Sequence, residues 1–133
     1  MKVIFFIFFL IILESTQVVA ASSPDHGPIR IELTKELRIA IENGVRRDLK
    51  DPDSAKFSEI NVYKGESGLF SCGSVNARNS YGGYTGYTPF FIYIIIGKSL
   101  LNEKQKYFAH GTIMPDETED GYRWFYKNFP ECE

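Results

Sequence analysis

The sequence predicts an α+β fold: one amphipathic N-terminal helix packed on an antiparallel meander of three to four strands, with a short aromatic helix at the C-terminus. Three observations predict it. Leu33, Leu37, Ile41, Val45 and Leu49 recur every fourth residue, which sets them on one stripe of a helix. Between Phe57 and Ile113 the pattern changes to short runs rich in β-branched and aromatic side chains, parted by turns that carry Gly and Ser. Near the end, YRWFYKNF over residues 122–129 reads as a short helix that packs Trp124 or Phe125 on the sheet.

The chain opens with Met1-Lys2, then eleven residues without a polar side-chain atom (3–13), then Glu14-Ser15-Thr16-Gln17 and small residues at Ala20 and Ala21. A positive start, an apolar run and a small-residue site make a secretory signal over residues 1–20, cleaved after Ala20 or Ala21. The run falls short of the roughly 20 residues that span a bilayer, so no stable membrane insertion is expected after cleavage. Residues 21–30 are polar and broken by two prolines, a flexible leader; residues 31–133 form a single globular domain.

In the helix, Lys35, Glu36, Arg38, Glu42, Arg46 and Arg47 occupy the face opposite the stripe and read as a solvated surface. Thr34 suits the N-cap, and Asp51-Pro52 stops the helix because Pro disfavours helical geometry in the residue before it. Asp53-Ser54-Ala55 makes a tight turn. Residues 57–63 form a strand with Ile60 and Val62 on one face, and residues 64–68 a turn. Residues 69–79 form a second strand whose alternation slips at Cys72-Gly73, as a β-bulge would make it. FFIYIII over 90–96, flanked by Pro89 and Gly97, is a central strand; residues 107–113 are a fourth, reached through a polar connection over 99–106.

Formal net charge is −2, from 15 basic and 17 acidic residues, and it stays there when the signal leaves with Lys2 and Glu14. A near-neutral chain argues against nucleic acid, which calls for a basic patch, and gives no reason for anionic lipid. Two cysteines in an exported chain favour a Cys72–Cys132 disulfide, tying the penultimate residue to the middle of the domain. No metal is expected: two isolated Cys and the distant His26 and His110 lack ligand spacing. Nothing calls for a cofactor.

The densest constellation is CGSVNARNSYGGYTGYTPF over residues 72–90, preceded by LKDPDSAKF over 49–57. Together they resemble a group of small exported bacterial proteins of unassigned function. In that group a helix ends in a DPxSAxF turn, and a CGxVNxxN segment and a GGYxG loop follow. The resemblance spans residues 49–91; it implies export and a shared fold, and it transfers no activity. Read physically, Gly82, Gly83 and Gly86 permit positive φ and a close backbone approach. Tyr81, Tyr84 and Tyr87, with Asn76, Arg78 and Asn79, would suit a protein partner, a peptide or a sugar face. The other reading has loop 80–88 fold over the sheet with its tyrosines covering the core edge, since no sequence feature forces those rings outward. Both readings stand on sequence.

Enzymatic patterns are weak. The Gly cluster runs through Pro89 into a strand, with no Lys-Ser/Thr opening a helix as a phosphate loop requires. Ser71 and Ser74 have no His and acid at recognisable spacing. His110 lies within a strand, as a structural or solvent-facing imidazole. A carboxylate pair from Glu59 or Glu66 with the acids of 116–120 is conceivable, but those acids lie mostly in turns. No catalytic residue is assigned. The reading is an exported, periplasmic or secreted, non-enzymatic binding protein of the inhibitor or accessory-subunit type. Its partner would be another envelope or secreted protein, through Asn76, Arg78, Asn79, Tyr81, Tyr84 and Tyr87. The alternative is a small envelope enzyme or carbohydrate-binding module acting on cell-wall glycan.

Overall fold

The computed structural model describes residues 27–98, 104–116 and 118–133. The signal over 1–20, the leader up to residue 26 and the connection over 99–103 lie outside the described residues.

The chain runs β1 (Ile29–Ile31), α1 (Lys35–Arg46), a 3-10 turn (Pro52–Ser54), β2 (Lys56–Gly65), β3 (Gly68–Asn76), β4 (Thr88–Lys98), β5 (Gln105–Ile113), α2 (Glu119–Asn128) and a final 3-10 turn (Pro130–Cys132). All five strands join one antiparallel sheet in the order β1-β2-β3-β4-β5. The expected fold, α+β with one helix on three to four strands, is corrected by this: the protein is mostly a five-stranded antiparallel sheet, with two short helices of 12 and 10 residues. The additional strand is β1, which pairs Ile29 with Lys64 and Ile31 with Val62. Three residues are too few to show a period, and β1 is a strand only because β2 offers its edge.

Local signals explain the helices. Thr34 caps α1, its hydroxyl accepting from the Leu37 amide at 3.2 Å, and Thr118 caps α2 by accepting from Gly121 at 3.0 Å. The bulge near Gly73 falls on the partner strand. Ser58 pairs Ser74 and Asn61 pairs Cys72, so Glu59 and Ile60 stand opposite Gly73 alone, with Glu59 at φ 53°. Gly73 serves the core instead: a Cβ there would lie 2.7 Å from the Phe90 ring.

The sheet has two covered faces. On one, Leu37, Ile41 and Val45 of α1 meet Val62, Val75, Phe90, Ile92 and Ala109, all buried. The helix comes this close at Gly44, where a Cβ would meet Ile92 Cδ1 at 2.6 Å and Ala109 Cβ at 2.8 Å. On the other face, Cys72 and Phe91 lie under Phe125 of α2 and Phe129, which stacks on Phe91 at 4.2 Å between centroids. The Cys72–Cys132 disulfide closes that face, with its Cα atoms 5.1 Å apart. Among the described residues no helix is long and apolar enough to cross a membrane.

Candidate functional site: the 77–87 loop and its brace

The β3–β4 connection, residues 77–87, leaves the sheet at the end where α1 hands over to the Pro52–Ser54 turn. Arg46 positions that turn by donating to the Pro52 and Ala55 carbonyls, with its guanidinium 5.1 Å above the Phe57 ring. Ser54 is buried, and its hydroxyl both donates to the Asp51 carbonyl and accepts the Arg78 amide, each at 2.8 Å. Arg78 Nε reaches Asp51 Oδ2 at 2.8 Å. The Tyr84 hydroxyl donates to the Ser54 carbonyl at 3.0 Å, and Lys56 Nζ lies 4.5 Å from the Tyr84 ring centroid. Lys50 Nζ donates to Ser80 Oγ at 2.9 Å. The turn over 51–56 is thus a bracket into which both flanks of the loop are tied.

Within the loop, Asn79 Oδ1 accepts from the amides of Tyr81 and Gly83, and the Asn79 amide donates to the Gly83 carbonyl at 2.9 Å. That is an Asx-type turn, with Gly82 at φ 81° where a side chain would be strained. Arg78 and Tyr84 face each other across an isolated antiparallel bridge. Beside the loop lies an open groove of about 300 Å³, lined among others by Lys50, Arg78, Thr85 and Met114.

The six sequence-assigned binding residues therefore divide. Tyr81 is 97% exposed and Tyr87 51%, and neither belongs to the two core clusters. Tyr84 is 44% exposed but tied through its hydroxyl. Arg78 and Asn79 hold the loop's own geometry, and Asn76, at the end of β3, has a buried Oδ1 with no hydrogen-bond partner among the described residues. From the sequence Asp51 reads as a helix stop and Ser54 as part of a tight turn, both within the DPDSAKF string, and neither they nor Lys56 were given a role at the site. The structure joins that string and the GGYTG string in one hydrogen-bonded unit.

The other chemistry-bearing groups stay apart. His110 is exposed on β5, opposite Tyr93; Ser71 is fully buried and donates to the Asn61 carbonyl at 2.8 Å. Among the described residues no three His, Cys, Asp or Glu side chains converge. Comparisons with protein-family models, with curated proteins and with solved structures each return no match.

Proposed function

We propose that this is an exported, non-enzymatic recognition protein whose 77–87 loop binds another protein of the envelope or the extracellular space. The observation that carries the reading is the pairing of exposed rings with a braced backbone. Tyr81 and Tyr87 project from a loop already held by Ser54, Asp51 and Asn79. Rigid aromatic groups lose little freedom on binding, so most of their buried area is available to affinity. The Cys72–Cys132 disulfide supports export, because such bonds persist in oxidising compartments. A glycan is the second reading, favoured by Tyr81, whose exposure leaves its ring open for stacking on a sugar.

The test is crosslinking capture from the native envelope with wild type and a Tyr81→Ala/Tyr87→Ala variant, alongside retention on immobilised cell-wall glycan. A protein captured by wild type and lost with the variant, at unchanged melting temperature, supports the reading. Glycan retention that depends on the same two rings supports the second. Capture and glycan retention both unaffected by the variant would rule out the loop as the recognition surface.

A further inference from the structure

The sheet's two edges are finished differently. The β1 edge is three residues long, and short edge strands are one way of blunting an edge. β5 runs nine residues and, among the described residues, pairs only with β4. Its outward groups can be identified. The Lys106 carbonyl lies 3.7 Å from where a Cβ would stand on its partner Gly97, so residue 106 points its main chain toward β4. Strand alternation then turns the main chain of Gln105, Tyr107 and Ala109 to the edge away from β4. Consistent with that, Arg47, the C-cap of α1, reaches over and donates to the Ala109 carbonyl. The bulge at Gly111, φ 70°, ends the regular stretch, leaving residues 105–109 as the usable edge.

Above this edge lies a groove of about 640 Å³ between β5 and the lateral face of α1. Its wall is Ala40, Asn43 and Gly44, small enough to leave room for side chains of an added strand, with half-exposed Ile39 at its lip. Opposite charges mark its length. Arg47 stands at Ala109, and Glu36 lies eleven residues, about three helical turns, back along the same wall. Lys106, a residue type that often guards edges, has its ammonium 5.2 Å from the Phe108 ring centroid, drawn onto its own strand's side chain.

We propose that β5 and α1 form a strand-addition groove for an extended segment of another protein, running antiparallel to β5, acidic at its N-terminal end and basic at its C-terminal end. Main-chain pairing to Gln105 and Tyr107, and to the amide of Ala109, whose carbonyl is held by Arg47, supplies the binding; Arg47 and Glu36 set the direction. The groove is separate from the 77–87 loop: Thr88, where the loop enters β4, is at the opposite end of that strand from Lys98, the partner of Gln105.

The experiment uses the disulfide-bonded chain from residue 21 and two blocked heptapeptides of identical composition, Glu-(Thr-Val-Thr-Val-Thr)-Lys and its charge-swapped counterpart beginning with Lys and ending with Glu. Binding is read from backbone amide NMR shifts at millimolar peptide. The first peptide should shift the amides of Gln105, Tyr107 and Ala109 more than those of Lys106 and Phe108, and bind at least tenfold tighter than its counterpart. N-methylation of its alternate amides on the pairing side should abolish the shifts. In Arg47→Gln the tenfold preference should fall to about twofold while the shifts persist. Equal binding of both peptides, or no shift from either, overturns the proposal. A mass doubling in sedimentation that Gln105→Pro removes also overturns it, since the edge would then serve a second copy of this chain.

Discussion

On one face of the sheet α1 is held by packing, whereas on the other α2 is held by a covalent bond beside its packing. The α1 face interlocks aliphatic side chains around Ile41, Val45 and Ile92, and Gly44 lets helix and strands close to contact. The opposite face is aromatic. Tyr63, Phe70 and Phe91 stack in sequence at 5.3 and 5.1 Å, and Phe129 continues the series from the chain end. Only Phe125 of α2 is buried, and Trp124 is 53% exposed. A ten-residue helix with one buried anchor has little cohesion of its own. A segment joined to the sheet by few interdigitating residues is kept in place by restricting the unfolded chain rather than by adding core.

The largest change should come from the packed face. Phe90→Ala removes a fully buried ring and leaves a hole over Gly73, so stability should fall by roughly 3–5 kcal/mol in urea titration. A loss near zero would mean that the aliphatic face is not the chief source of stability. The covalent face should answer to redox state. Replacing both Cys72 and Cys132 by Ser opens a 60-residue separation and should cost up to about 4 kcal/mol. Protease cleavage within residues 119–133 should appear before any loss of amide protection in α1. Simultaneous loss of both would show that the faces unfold as one unit.

Gly44→Ala sharpens the packing side of the comparison. The new methyl meets Ile92 and the Ala109 carbonyl below 3.0 Å, so helix or strand must shift, at about 1–3 kcal/mol. Ala is the better helix former, so a stabilised variant would show that the close approach is slack. The smallest effect concerns pH. Burial, with Tyr122 and Glu133 adding to it, raises the Tyr126 phenol above its ordinary value of 10.0. The folded state therefore prefers the neutral phenol; this contribution is whole below the range where a free phenol titrates and is lost as pH climbs through the raised value. Tyr126→Phe should make the alkaline fall in urea midpoint shallower, and an unchanged slope would place the alkaline sensitivity elsewhere.

Legibility followed the range of the cause. Leu37, Ile41 and Val45 of the α1 stripe, the Thr34 cap and the strand character of FFIYIII are set by neighbours within one or two turns and are present, whereas Leu33 and Leu49 fall outside Lys35–Arg46. The disulfide was legible from further away because two cysteines admit one pairing. The slip in alternation at Cys72-Gly73 was visible, but its cause lay across the ladder at Glu59 and Ile60. The loop's tyrosines and glycines stood out by composition. That Asn79 folds the turn, while Tyr81 lies open, depends on contacts no composition reports.

By itself, then, the sequence determined the segments whose periodicity is local, the single possible cysteine pair, and the aromatic, Gly-rich loop. The tertiary structure decided the rest: β1 as a strand, the second sheet face as an aromatic one closed from the chain end, and the bracket in which Asp51 and Ser54 hold Arg78. The physical reason is one of distance along the chain. An i to i+4 stripe writes its own conformation into adjacent residues, whereas a three-residue strand and a hydrogen bond across 24 residues acquire theirs only from the partner that folding brings alongside.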